Sequence, residues 1–275
     1  MAAYLISGLV CTIALSVLAY AMGWGLRSTR TTSSPFFLTC ALCFAMALSW
    51  ILTGGIHWID LLPLPDVLLW STLVAPCLCF TAGLAACSSG LRSYSRSIAA
   101  ISLVGIALGY TVLPLLRPAF LPVQLSEETQ WDDGICLQSH TSTCAPAAAV
   151  TLLRGAGIVA EERDLFRVCS TSDHGTESLG LYRGVRMYSN SALHKICVAS
   201  SNTDVWLPAG QLPNLAIVRF GESSDAFPSR FFTSRGDRHA VVVFGRNEIG
   251  DWVIGDPAVG KTTWSDEEFQ TRFTG

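Results

Sequence analysis

The stretch CLQSHTSTCAPAAAVTLLRGAG, residues 136–157, decides how the second half of this chain is read. Cys144 is followed by Ala145, Pro146, Ala147, Ala148, Ala149 and Val150. Proline costs nothing in a first turn, where its missing N–H would be an orphan, and alanine is the strongest helix former. A helix therefore opens at Cys144. A thiol there lies against the positive end of the macrodipole and the unpaired first-turn N–H groups, both of which favour the thiolate. Gln138 stands one short loop upstream. Its amide can donate to an oxygen beside the sulfur, with the backbone N–H of Cys144 as second donor, as an oxyanion hole requires. The pattern points to Cys144 as a nucleophile, although the residue alone also fits a small buried hydrophobe.

Outward from that stretch the composition splits. Two acidic and five basic residues precede residue 124, against 19 acidic and 13 basic after it, so a first part of about +3 joins a second of about −6. The mean hydropathy of +0.42 averages these unlike halves. Residues 4–26, 35–59, 67–87 and 98–116 lack Asp, Glu, Lys and Arg, and a bilayer-crossing helix needs roughly 20 such residues. Four membrane spans over residues 1–117 are expected. The first reads as a span rather than a cleaved signal peptide, because no basic residue precedes it and the run is too long. Arg27 and Arg30 mark the first loop, Arg92 and Arg96 the third, while the second carries Asp60 and Asp66. Basic loops stay cytoplasmic, so everything after the fourth span is expected outside, in the periplasm or beyond, with Arg117 a lone dissent in a proline-broken segment.

No ionisable residue lies well inside a span, which argues against a transporter or proton relay. Gly105 and Gly109 form a GxxxG packing face. Cys40 and Cys43 spell CxxC within the apolar start of the second span, a place that suits small packing residues better than an exposed redox pair. The spans read as an anchor in the lipid bilayer.

Residues 118–133 form a proline-rich, then acidic linker, and 134–275 amount to one ordinary domain. After the Cys144 helix, residues 161–169 and 179–188 read as helices. Short β-rich runs follow at 195–199, 215–220, 238–246 and 251–255. Ser265 to Glu268 is a capping box opening a terminal helix. Helices followed by an antiparallel sheet make an α+β domain. If Arg246 pairs with Asp251 across a four-residue turn, His239 lies opposite Ala258 and Asp256 becomes its diagonal neighbour on the same face, roughly 7–8 Å away at Cβ. That distance lets a carboxylate hold one imidazole nitrogen while the other meets a thiol. GDPAVGKT over 255–262 also satisfies the P-loop pattern, but a P-loop must run directly into a helix and a large sheet. Nucleotide binding is therefore not expected, nor is nucleic acid.

Taken together, these residues resemble the bacteriocin-processing, double-glycine-leader cysteine peptidases, which have a papain-like fold. The likeness spans about residues 134–275. Gln138 and Cys144 look like that family's oxyanion glutamine and nucleophile, His239 in RHAVVVF its histidine, and Asp256 in IGDPAVG its orienting aspartate. Ala145 stands where the family usually has glycine. The best-known members work in the cytoplasm fused to an ATP-binding exporter, so the resemblance implies cysteine peptidase chemistry rather than leader cleavage. It implies a Cys144, His239 and Asp256 triad with Gln138 in the oxyanion hole, a peptide or protein substrate, and neither cofactor nor metal. A silent peptide-binding module, or an acyl or amide transferase with the same residues, are the alternatives. His140 lacks an orienting carboxylate, and His174 has only Asp173 beside it. Among Cys136, Cys169 and Cys197 spacing chooses no disulfide; Cys136 with Cys169, which flank the first two helices, is the pair expected in an oxidising compartment.

Overall fold

In a computed structural model of the chain the described residues are 2–26, 35–54, 59, 72–120, 123–191, 196, 198, 212–220 and 238–273. The chain divides into two compact units, Met1–Leu116 and Arg117–Gly275.

The first unit contains α1 (Ala2–Gly25), α2 (Pro35–Gly54), α3 (Val74–Cys87) and all but the last four residues of α4 (Ser93–Phe120). Among the described residues, windows Gly8–Gly25, Pro35–Leu52 and Ser93–Leu113 make three helices long and apolar enough to cross a membrane, where four spans are expected from the sequence. The shortfall is α3. Its 14 residues reach about 21 Å at 1.5 Å per residue, against a hydrocarbon core of about 30 Å. The expected start of that span, 67–71, lies outside the described residues.

Helices α1 and α3 approach closely through a reciprocal pair of glycines. A Cβ on Gly83 would stand 2.3 Å from Tyr20 O, and one on Gly23 would stand 2.3 Å from Phe80 O. Each glycine thus admits the other helix's backbone, the means by which small residues pack apolar helices. Among the described residues the GxxxG face at Gly105 and Gly109 does no such packing. A Cβ on Gly105 would meet nothing within 4 Å, and one on Gly109 would meet Leu113 of its own helix. Cys40 and Cys43 are exposed free thiols on α2, and Cys40 lines a cavity with Ala19 and Met22 of α1 and Pro76 of α3. Small size permits close packing only where a second helix actually arrives.

The second unit places helices before an antiparallel sheet, an α+β arrangement. Its helices are α5 (Cys144–Gly155), α6 (Glu162–Val168) and α7 (Ser178–Ser191). Strands β3 (Asn214–Arg219), β4 (Arg238–Arg246), β5 (Trp252–Asp256) and β6 (Gly260–Trp264) follow in the order β3-β4-β5-β6, and α8 (Asp266–Arg272) ends the unit. Ahead of them, β1 (Gln130–Asp132) pairs with β2 (Ile135–Leu137). Residues 130–132, the end of the expected linker, therefore belong to a hairpin. Asp133 and Gly134 close it with φ of 42° and 79°, the positive pair that a two-residue type I′ turn requires.

Strand β4 explains how helices and sheet share one core. Ala240 and Val242 pack against Ala145 and Ala148 of α5, while Val241 and Val243 join Val218, Ile254, Trp264 and Phe269 on the other face. Alternation with period two puts successive residues on opposite faces, so a strand buried on both reads as a continuous apolar run. Helix α5 is enclosed as well. Its Ala147 and Val150 pack with Leu165 of α6 and Val185 of α7, and alanine keeps the helix thin enough to fit between those layers and the sheet. Ser265 caps α8 by accepting from Glu268 N–H at 3.2 Å.

The hairpin register departs from expectation twice, and the departures cancel. At the turn Arg246 pairs with Trp252 rather than Asp251, but a β-bulge between Val243 and Gly245 restores Val243 opposite Ile254 and Val242 opposite Gly255. The longer turn is held by Asn247 Oδ1, which accepts from Ile249 N–H at 3.1 Å and Asp251 N–H at 2.9 Å. The bulge returns the strand to the spacing that the His239 and Asp256 expectation needs.

The expected disulfide is not formed. Cys136 and Cys169 are buried free thiols within one apolar cluster. Burial pushes each up to about 12, helped at Cys136 by the charge of Glu162 and opposed at Cys169 by Arg183. Cys197 and most of the run expected as a strand at 195–199 lie outside the described residues.

Candidate active site

The loop before α5 is closed by a single threonine. Thr143 Oγ1 donates to His140 O at 2.9 Å and accepts from His140 N–H at 3.1 Å, and Thr143 N–H donates to the same carbonyl at 3.1 Å. Engaged there, the Thr143 side chain does not cap the helix. The first N–H groups of a helix have no intrahelical acceptor, so those of α5 remain for the residue that opens it. Ala145 N–H and Ala240 N–H both hydrogen-bond to the sulfur of Cys144.

Cys144 is partly exposed, and the His239 side chain, near the start of β4, hydrogen-bonds to it. His239 is only 3% exposed, with its ring 5.5 Å from that of Phe220. Its Nε2 lies 2.7 Å from Asp256 Oδ1 at the end of β5. An ionised carboxylate can only accept, so Nε2 carries the hydrogen and Nδ1 is left for the sulfur. Asp256, fully buried, also accepts from Ala258 N–H at 2.8 Å through Oδ1, while Oδ2 has no hydrogen-bond partner among the described residues.

These contacts set the charges. Burial pushes the Cys144 thiol up, but the hydrogen bond and charge of His239, with the two backbone N–H groups, outweigh it and hold the thiol below its ordinary value. Burial pulls His239 down, yet its bonds to Asp256 and Cys144 and their charges raise it to about 10. The arrangement favours a thiolate beside an imidazolium, backed by a carboxylate.

Gln138 follows β2 and is 8% exposed. Its N–H donates to Pro257 O at 2.8 Å, in the turn that carries Asp256. The structure thus joins Cys144, His239 and Asp256 in one hydrogen-bonded chain and ties Gln138 to the same turn by its backbone. The side-chain amide makes no hydrogen bond to Cys144, and its buried Oε1 has no partner among the described residues. Such an atom costs about 1–3 kcal/mol and in a native structure calls for a reason.

Three neighbours escape a reading of the sequence. Phe220 packs on His239. Arg272 lies 4.9 Å from the Phe220 ring and 4.7 Å from that of Trp264, bonded to Glu268 at 2.6 Å. Burial lowers its pKa, and the charges of Glu268 and Asp256 oppose the shift. Glu162, which accepts from Ser139 N–H at 2.9 Å, is the third. Nothing in the local pattern of these residues separates them from ordinary surface or core positions.

The remaining candidates are simpler. His140 Nδ1 lies 2.9 Å from Ser142 Oγ, and His174 is exposed in a turn. Among the described residues no group of three His, Cys, Asp or Glu side chains could hold a metal. The P-loop-like stretch 255–262 forms the β5 to β6 hairpin rather than a loop entering a helix, and Lys261 pairs with Asp133 at 3.0 Å.

No family model matches the chain. Two curated relatives, uncharacterized proteins of Methanothermobacter thermautotrophicus and Methanothermobacter marburgensis, are each 25% identical over 154 residues, covering 52% of this chain and 85% of theirs. Among solved structures the chain is similar to the peptidase domain of Streptococcus ComA, a bi-functional ABC transporter involved in a quorum sensing pathway, with 23% identity, a TM-score of 0.35, and coverage of 50% of this chain and 90% of that one.

Proposed function

We propose that this chain is a membrane-anchored cysteine peptidase that hydrolyses peptide bonds with Cys144, His239, Asp256 and Gln138. One observation carries the reading: the Cys144 sulfur is hydrogen-bonded by an imidazole whose Nε2 is 2.7 Å from a buried carboxylate. A buried structural thiol needs no such base, and its pKa rises, as Cys136 and Cys169 illustrate.

In this mechanism His239 holds the Cys144 proton and the thiolate attacks the scissile carbonyl. The oxyanion is met by the Gln138 amide and the Cys144 N–H, donors aimed at charge that exists only in the transition state. His239 then protonates the leaving amine, and the C–N bond breaks to leave a thioester. Water, deprotonated by His239, frees the carboxylic acid and regenerates the thiolate. Asp256 keeps the imidazole oriented and stabilises its charged form. An outer placement of this unit requires the 67–87 stretch to complete a fourth crossing, which keeps Arg27 and Arg30, and Arg92 and Arg96, on the cytoplasmic side; three crossings would leave the unit inside.

The reading is tested by incubating the full-length protein in detergent with a peptide library and reading new termini by mass spectrometry. Termini present with the wild type and absent with Cys144→Ala support hydrolysis. Their absence, with peptides retained by the protein, would instead identify a binding module. For the topology, a C-terminal tag cleaved by protease added to intact cells supports the outer placement, and a protected tag refutes it.

A further inference from the structure

Three elements hold the segment from Cys136 to Ser139. Cys136 N–H donates to Thr151 Oγ1 of α5 at 2.9 Å, Gln138 N–H to Pro257 O at 2.8 Å, and Ser139 N–H to Glu162 Oε1 at 2.9 Å. The first two acceptors are neutral, whereas the third is a carboxylate only 3% exposed. Removing a carboxylate from water is costly, and an apolar residue of like volume would fill the space at least as well if packing were the only requirement.

The helix itself does not require this burial. Negative charge in the first turn of α6 suits its positive end, but Asp164 supplies that from an exposed position. Glu162 is turned away from solvent, and its carboxylate accepts from the residue directly after Gln138. A hydrogen bond to a charged acceptor is about twice as strong as one between neutral groups, and it fixes the donor's place more firmly.

We infer that Glu162 is a positioning residue for the Gln138 amide: with Pro257 it grips the backbone on both sides of Gln138 and fixes where that side chain stands. This rests on the reading of Gln138 as an oxyanion donor, and it adds a residue that never touches substrate. A misplacement of about 1 Å at a reacting centre can cost roughly 100-fold in rate. Glu162 therefore controls acylation without controlling the sulfur's own reactivity.

Two probes of the full-length protein separate these effects. Iodoacetamide alkylates Cys144 by displacement of iodide, a step with no oxyanion, and its rate is read by mass spectrometry of the Cys144 peptide. p-Nitrophenyl acetate acylates the same sulfur through a tetrahedral oxyanion that expels nitrophenolate, and its burst is read after subtracting Cys144→Ala. In Glu162→Ala, acylation is expected to fall about 10- to 100-fold while alkylation stays within about twofold. Glu162→Gln, which still accepts from Ser139 N–H, is expected to keep acylation within about threefold of wild type. Gln138→Ala is expected to fall as Glu162→Ala does, and the double variant to fall no further.

Acylation unchanged in Glu162→Ala, both rates lost together, loss in Glu162→Gln equal to that in Glu162→Ala, or additive losses in the double variant would each overturn the inference. A burst that survives Cys144→Ala would instead overturn the reading of the site itself.

Discussion

The two halves of the site are built by different means. The helix half, Gln138 to Cys144, comes from seven consecutive residues closed by local hydrogen bonds around Thr143 and His140. The sheet half, His239 and Asp256, comes from adjacent strands whose register depends on a bulge and a five-residue turn several residues away. The helix half is robust in geometry and supplies the sulfur, while His239 of the sheet half does most to hold it as a thiolate. The sheet half is exposed to register errors, and a slip of one residue turns every side chain to the opposite face.

The comparison breaks most completely at the groups that meet. Replacing His239 with Ala should lower turnover by at least about 1,000-fold, since it removes both the base and the charge that holds the thiolate. Turnover of any substrate identified from the library checks this. Asp256→Asn leaves the volume unchanged but lets the imidazole adopt the wrong tautomer, for a loss of about 100- to 10,000-fold, with KM little changed.

The bulge separates the halves more finely. Gly245 has φ of 153°, where a side chain is strained. Gly245→Ala should cost about 1–3 kcal/mol in urea unfolding and slow Cys144 alkylation if the register slips. A companion change in the helix half, Thr143→Val, loosens the loop but leaves the hairpin intact. It should cost about 1 kcal/mol from the lost hydrogen bonds and leave the His239 to Asp256 contact unaffected.

The smallest effect is on the pH dependence of stability. His239 is raised from 6.5 to about 10 in the folded chain, so its protonated form contributes stability that is fully present below 6.5 and lost as pH rises through 10. The Tm advantage of wild type over His239→Gln should shrink between pH 7 and pH 10.5. An advantage that grows over this range contradicts the assignment.

Much of this construction is visible in the residues. The Cys144 helix, strand 238–246 and the Ser265 cap follow from local patterns that survive tertiary context: a proline-tolerant first turn, a continuous apolar run and a serine three residues before Glu268. The DG pair at Asp133 and Gly134, flanked by Trp131 and Ile135, is also a hairpin signal, but it is hidden within an acidic, linker-like composition. Strand β6 is concealed by the overlapping P-loop pattern. The bulge beside Gly245 leaves no mark, since glycine there reads equally well as a turn residue.

Long-range roles are less legible still. The burial of Glu162 depends on a loop more than 20 residues away. Arg272, whose spacing from Glu268 suits a surface ion pair, makes that pair but is buried against Phe220 and Trp264. In the helical unit, the GxxxG at Gly105 and the contact between Gly23 and Gly83 differ only in whether another helix is present. Spacing within one helix does not record its partner.

The most direct measurement is the thiolate absorbance of Cys144 near 240 nm as a function of pH, taken as wild type minus Cys144→Ala and repeated in the His239→Ala background. The expected result is a thiolate already formed below the ordinary thiol value of 9.0, which disappears from that range when His239 is removed. A thiol that titrates near 9.0 or above in the wild type, or one indifferent to His239, would contradict the pairing on which the proposed chemistry depends.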